Sequence, residues 1–296
     1  MSAPIQPGPR VFLDYDQAQL DACYDQTVWA ANMEQMHRRQ TALAAAARKR
    51  LAPAQRYAYG SARMEHLDVY RTAGAGAPVF VFVHGGAWKA NSSERFAFAA
   101  ETFVGSGAHF VLVDFDGIED TEMRLLPVVD QVRRAIAWVY NNAASFGGDR
   151  TRIHVGGHSS GAHLTGCALV TNWSDYGVPD TVIAGALCCS GMYDLAPVRL
   201  SARSSYVRFD DETVAALSAL RHLERIAMPI VLAYGTEESP EFQRQTRDFA
   251  AALTAARKPV QLLTAHGYNH FEIVETLGNP YGLLGRAALE QMQLAR

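Results

Sequence analysis

The sequence is poor in the features that announce many protein classes. Its four cysteines show no CxxC spacing and no matching histidine pair, which argues against a disulfide scaffold or a zinc site. Vicinal Cys188 and Cys189 lie in the apolar run "IAGALCCSG" and read as buried, reduced thiols packed as small hydrophobes. No apolar run approaches the roughly 18 residues a membrane span requires. The amino terminus, "MSAPIQPGPR", lacks a basic segment followed by an apolar stretch, the pattern of a secretory leader. With a formal net charge of -3 and both signs mixed along the chain, the sequence carries no footprint for nucleic acid or an anionic membrane. Internal repeats, low-complexity tracts and long Pro, Gly or Ser linkers are missing as well. These absences leave the expectation of a soluble, cytoplasmic protein with neither nucleic acid nor membrane as partner. At 296 residues, one domain over 1–296 is large enough to bury a substantial core.

What is present divides into two patterns. Residues 11–52 have helical content, notably "TVWAANMEQMHRRQTALAAAARKRL", which Pro53 should end; residues 1–60 are expected as an N-terminal helical extension. From Arg63 onward, seven short β-rich runs ("HLDVY", "APVFVFV", "AHFVLVDF", "RIHVGG", "VIAGALCCS", "PIVLAYG" and "PVQLLTA") alternate with helical stretches such as "VVDQVRRAIAWVYNNAASF". Near-continuous apolar strands between helices predict an α/β fold, a mostly parallel, doubly wound sheet covered on both faces. Residues 191–225 are long enough to form a cap beside a site at the strand ends.

The densest chemical signal is "HVGGHSSGAHLTG" at 154–166, where Gly157-x-Ser159-x-Gly161 falls between a strand and a helix. That context gives a nucleophile elbow its meaning, making Ser159 the candidate nucleophile and the backbone N–H of Ser160 a candidate oxyanion donor. A serine hydroxyl needs a base, itself oriented by a carboxylate, and in this topology the order is Ser, then acid, then His. "GTEESPEF" offers Glu238, three residues past Gly235, with Glu237 in reserve; "HGYNHFEIVE" offers His270, expected to open the final helix, ahead of His266. "VFVFVHGGAW" provides a buried strand followed by Gly85 and Gly86, where unhindered amides could meet a developing oxyanion; a diglycine turn without chemistry is the competing reading. His158 and His163 flank the serine but lack the HExxH arrangement, so no metal is expected.

With these residues in view, the sequence resembles the α/β-hydrolase kynurenine formamidases (arylformamidases) and their esterase-like relatives. The resemblance rests on "HGGAW" at 84–88, "GHSSGAHL" at 157–164, "SGMYDLAPV" at 190–198, "SPEFQRQ" at 239–245 and "NHFEIVETL" at 269–277. It implies Ser159 as nucleophile, His270 as base, the position of Glu238 as acid, and the Gly85–Gly86 loop with the amide after Ser159 as the oxyanion hole. The family usually carries Asp where this chain has Glu238, so the acid's loop must retreat by about one methylene. "DFDGIEDTEM" also replaces an apolar-Pro-Glu segment that would face the pocket.

The resulting expectation is a serine hydrolase that cleaves a small acyl amide, N-formyl or related, without metal or organic cofactor; a carboxylesterase for small acyl or aryl esters is the alternative. A noncatalytic binding protein on the same scaffold would not need all three of Ser159, Glu238 and His270. Trp88, Tyr193 and Phe271 are expected to line an aromatic-friendly pocket. In "RLSARSSYVRFDDETVA" the charges read first as a solvated face, with Arg203 or Arg208 pairing with a substrate carboxylate as the alternative. The apolar face of the N-terminal helices could cover the site or form a homodimer contact.

Overall fold

The computed structural model describes residues 8–90 and 92–295. Eight strands form one sheet: β1 (Gln55–Ala58), β2 (His66–Tyr70), β3 (Ala77–Val83), β4 (His109–Val113), β5 (Gly148–His158), β6 (Gly185–Cys189), β7 (Ile230–Gly235) and β8 (Val260–Ala265). Their spatial order is β8-β7-β6-β5-β3-β4-β2-β1. β3 to β8 run parallel, while β2 pairs antiparallel with both β1 and β4.

All seven runs seen in the sequence are strands of this sheet. β1 is the addition, inside what was expected to be helical extension. Its sequence, "QRYA", is short and largely exposed, and it is fixed by pairing with β2 rather than by an apolar pattern.

The centre of the sheet explains its burial. Along β3 every residue is buried, and the two-residue period of a strand sends alternate side chains to opposite faces. Val79, Val81 and Val83 join Val111, Val113, Ile153 and Val155 in one core. Phe80 and Phe82 join Phe103, Phe110 and Leu187 in the other. In the second core Phe103 stacks between Phe80 and Phe110, with ring centroids 4.4 and 4.9 Å away.

Helices cover both faces. Before the sheet come a hairpin (Arg10–Phe12 with Tyr15–Asp16), then α1 (Gln17–Tyr24) and α2 (Met33–Arg50). α3 (Leu125–Asn142) buries Val128, Val129, Val132, Ala135, Ile136 and Val139, the three-to-four spacing of one helix face. α4 (Ser160–Leu169) is buried along its whole length. α5 (Pro240–Ala255) and α6 (Leu283–Gln291) complete the layers used below. Residues 191–225 fold into short helical turns, including Leu195–Arg199, Ala202–Ser205 and Asp211–Ala216.

Candidate active site

The carboxyl ends of β3, β5, β6 and β7 converge where their chains turn back. Ser159 follows β5 directly and precedes α4, in a left-handed conformation with φ 58° and ψ -125°. The glycines on either side are there because nothing else fits. A Cβ on Gly161 would stand 2.1 Å from the carbonyl oxygen of Val83, and one on Gly157 would stand 2.3 Å from that of Gly161. The strand–turn–helix therefore closes only with glycine at both places, leaving the serine at its apex.

Three side chains from distant parts of the chain meet there. Ser159 Oγ–H donates to His270 Nε2 at 2.8 Å. His270 Nδ1–H donates to Glu238 Oε2 at 3.1 Å, an assignment that follows because an ionised carboxylate only accepts. The other carboxylate oxygen, Oε1, accepts from Ser190 Oγ at 2.6 Å and from the Gly235 amide at 2.8 Å. Ser159, His270 and Glu238 are all buried. Glu237 and His266, the reserves, are exposed and outside this line.

Local sequence explains how acid and base are held. Ser239 caps α5 and Pro240 occupies its first turn, so Glu238 is the last residue before a fixed helix start. His270 does not open a helix as expected; it sits in the loop after β8, ahead of a 3-10 turn at Ile273–Gly278. There Asn269 Oδ1 accepts from the amides of Phe271 and Glu272 at 3.0 and 3.1 Å, and His158 Nε2–H donates to the His270 carbonyl at 2.8 Å. Burial, with His270 beside it, holds the His158 imidazole well below its ordinary pKa, so it serves as a neutral donor.

The turn after β3 wraps the serine from the other side. Gly86, Ala87 and Trp88 all have positive φ (129°, 55° and 61°). The bend is pinned by the Trp88 amide donating to Ser160 Oγ at 3.2 Å and by the Ile118 amide donating to the Trp88 carbonyl at 2.6 Å. Among the described residues, the amides of Gly85, Gly86 and Ser160 make no turn, loop or side-chain hydrogen bond.

A cavity of about 480 Å3 opens on Ser159, His270 and Gly85, with Phe271 on its wall as expected. Two expected lining residues are elsewhere. Trp88 is buried behind the turn, its indole N–H donating to His163 Nδ1 at 3.2 Å. Tyr193 is buried against Phe249, ring centroids 4.3 Å apart. Both are core aromatics because the turns that carry them fold inward, which residue type alone does not reveal. The 114–123 segment does not face the cavity either; it braces the Trp88 turn from behind, with Asp114 Oδ1 accepting from the Ser93 amide at 2.6 Å.

The roof of the cavity comes from α1, α2 and the 202–206 turn. Tyr24 O–H donates to Glu241 Oε2 and accepts from Gln245 Nε2, both at 2.9 Å. Gln40 donates to the Phe271 carbonyl at 2.9 Å, and Asn32 to Glu272 Oε1 at 2.7 Å. Of the two uses considered for the N-terminal face, covering the site is the one these contacts serve. Arg203 is not on a solvated face: it is 7% exposed and lines the cavity, donating to the Tyr24 carbonyl at 2.8 Å. Arg208 is exposed. Ser190, Asn269 and Gln40 are supporting residues the sequence did not single out, and His158, weighed there only as a metal ligand or a residue packed under the turn, holds the His270 carbonyl. Of the three, Ser190, at the end of a predicted strand, carried a positional signal.

Comparison with known proteins places this geometry. The BD-FAE family model matches residues 67–178, the stretch that carries the Gly85–Gly86 turn and the elbow. Over 241 residues the chain is 31% identical to kynurenine formamidase of Danio rerio, covering 79% of this chain and 80% of that one. The corresponding protein of Salmo salar is 32% identical over 227 residues, 74% and 75% of the two chains. Esterase LipC of Mycobacterium tuberculosis is 28% identical over 250 residues, 77% of this chain and 62% of that one. Among solved structures, a putative thioesterase from Silicibacter sp. superposes with a TM-score of 0.77 at 23% identity, covering 90% of this chain and 97% of that one. An esterase from Pyrobaculum calidifontis does so at 0.69 and 18% identity, covering 90% and 94%. At those identities the likeness is one of fold.

Proposed function

The chain belongs to the kynurenine formamidase family of α/β-hydrolases and is a hydrolase of amides or esters, and from that premise we propose that it cleaves a small acyl amide, a formyl group on an aryl or enamine-like nitrogen, through an acyl-enzyme. The observation that carries this reading is the unbroken line Ser159–His270–Glu238 ending on the cavity. His270 takes the Ser159 proton as the oxygen attacks the carbonyl, and the imidazolium that results faces the Glu238 carboxylate. The oxyanion of the tetrahedral intermediate turns toward the amides of Gly85, Gly86 and Ser160, which among the described residues have no acceptor to give up for it. His270 then protonates the leaving nitrogen, and water repeats the sequence on the acyl-serine. The scheme operates within one domain and uses side chains, backbone amides and water.

A carboxylesterase acting on small acyl or aryl esters is the second reading, supported by the likeness to LipC. Initial rates on N-formylkynurenine and p-nitrophenyl acetate, for the wild type and Ser159→Ala side by side, separate the two. The amide reading expects formamide cleavage that the substitution abolishes. Ester cleavage alone, also abolished, selects the esterase. Full activity in Ser159→Ala would overturn the nucleophile.

A further inference from the structure

His158 has one nitrogen that the fold does not use. The residue ends β5, one position before the nucleophile, and its Nε2–H donates to the His270 carbonyl at 2.8 Å. A carbonyl only accepts, so the proton sits on Nε2 and Nδ1 is left as a lone pair. Burial first and the neighbouring His270 second hold the imidazole well below its ordinary pKa, so the lone pair stays unprotonated near neutrality. Among the described residues no donor reaches Nδ1. Nor is it sealed in the core like the unpartnered Nε2 of His84, because the His158 ring lines the cavity of Ser159. The His158 and His270 rings stand 4.6 Å apart, and a Cβ on Gly85 would lie 3.3 Å from Nδ1. This acceptor therefore stands between the base and the oxyanion turn.

Amide cleavage makes a demand there that ester cleavage does not. As Ser159 adds to the carbonyl, the leaving nitrogen becomes pyramidal and gains a lone pair, which must face His270 Nε2–H to take its proton. The N–H of that nitrogen is thereby turned away from the base, and without an acceptor it raises the barrier. An ester oxygen carries no hydrogen and needs no such partner. The other acceptors beside the base are occupied. Glu238 has both oxygens engaged, by Ser190 and Gly235 on one and by His270 on the other. The Gly85 carbonyl accepts from His84 Nδ1–H at 2.9 Å, and the His270 carbonyl is held by His158 itself.

We infer that His158 Nδ1 accepts the N–H of the scissile amide in the transition state, which makes His158 the group that selects amides over esters. This rests on the formyl-amide reading above. In the step itself the proton on His270 Nε2 passes to the leaving nitrogen and the C–N bond breaks. The amine then departs from the acyl-serine with its N–H still on Nδ1.

The test uses the full chain and probes that share one acyl group and one ring: formanilide, phenyl formate and N-methylformanilide. The quantity read is kcat/KM for formanilide divided by that for phenyl formate. Two variants separate the two nitrogens of the His158 ring. His158→Gln can still place an N–H on the His270 carbonyl but offers no acceptor at the Nδ1 position, and should lower the ratio by about tenfold, the effect of one hydrogen bond made in the transition state. His158→Asn puts its side-chain oxygen near the Nδ1 position but falls short of the carbonyl, so both rates should drop with little change in the ratio. A His158→Gln protein that keeps the wild-type ratio overturns the inference, as does a ratio that falls equally in both variants. Should either variant fail to fold, judged by its thermal transition, the wild type alone decides. N-methylformanilide, which lacks the N–H, should then be cleaved at least about tenfold more slowly than formanilide, and a smaller loss overturns the inference. A wild type that cleaves phenyl formate but not formanilide also overturns it and leaves the esterase reading standing. Cleavage of neither probe removes the formyl reading along with it.

Discussion

Replacing Glu238 by Gln separates charge and tautomer from shape. In the wild type, Oε1 accepts from Ser190 Oγ and the Gly235 amide while Oε2 faces His270 Nδ1. The Gly235 N–H can only donate, so it holds the amide oxygen of a Gln on its side and turns the NH2 toward His270. Nδ1 must then accept, which leaves the proton on Nε2, where it meets the Ser159 hydroxyl instead of receiving its proton. The imidazolium of the transition state also loses its carboxylate. Reversing the tautomer in a Ser-His-Asp enzyme lowers kcat by about 10⁴, or ~5.4 kcal/mol of barrier, and the same direction and order are expected here. Glu237→Gln, on an exposed side chain, is the control. The assay is kcat/KM on p-nitrophenyl acetate, with circular dichroism to show that the fold persists. A Glu238→Gln enzyme within tenfold of the wild type would refute the assignment of the acid.

Two further perturbations address the framework. His163 is buried and neutral: Nδ1 accepts from the Trp88 indole, Nε2–H donates to the Leu217 carbonyl, and burial pushes its pKa down to about 4 from an ordinary 6.5. Between those values the unfolded chain binds the proton and the folded chain does not, so stability falls as pH drops from 6.5 toward 4, by up to about 1.4 kcal/mol per pH unit from this residue. Urea midpoints at pH 6.5 and 4.5 should therefore converge in His163→Asn, and an unchanged pH slope would count against the assignment. Arg244 clasps Glu241, itself fully buried, through two contacts of 2.7 Å. Arg244→Met strands that carboxylate beneath α1 and should cost about 3 kcal/mol in urea unfolding; a loss below 1 kcal/mol would mean Glu241 finds other support.

The runs of β3, β4, β6 and β7 and the carboxyl half of β5 are legible as strands because they are buried on both faces, and a buried parallel strand records itself as a continuous apolar stretch, whereas β2 and the edge strand β8, only partly buried, are legible from their β-branched and aliphatic content. β1 is not, since pairing at a sheet edge leaves no such record. Gly157, Ser159 and Gly161 are legible because the close turn admits no Cβ on either side of the serine, a constraint written directly into residue type. Glu238 against Glu237, and His270 against His266, are matters of which neighbour the loop turns inward. For Glu238 the offset from Gly235 and the Ser-Pro turn pointed to the buried member; for His270 its distance from the strand end did, while the helix it was expected to open does not begin there. Trp88 and Tyr193 show the limit of this reading. An aromatic beside a catalytic motif is equally suited to lining a cavity or filling the core beneath it, and here the inward folding of the two turns selects the core. The roof over the site was the least legible part, because Gln40, Asn32 and Tyr24 act through hydrogen bonds to residues more than two hundred positions away.

The same contacts show how the site tolerates its own strain. Ala87, Trp88, Ser159 and Ser190 all have positive φ, and each such residue without glycine's freedom costs about 1 kcal/mol or more. They lie at the carboxyl ends of β3, β5 and β6, and each bend past β5 is tied to the next strand in the sheet. The Ser159 amide donates to the Cys189 carbonyl at the end of β6, and the Ser190 amide donates to the Ala233 carbonyl in β7. Ser190 then reaches Glu238, which reaches His270 and so returns to Ser159. The loop of bonds is closed, with backbone ties on one side and side chains on the other. Relaxing the bend at Ser159 or at Ser190 would therefore displace the nucleophile, the base and the acid together. The strain at Ser159 and Ser190 is held by two strand-end hydrogen bonds and that of the Ala87–Trp88 bend by its bonds to Ser160 and Ile118, while the buried valine and phenylalanine layers keep the strand ends fixed.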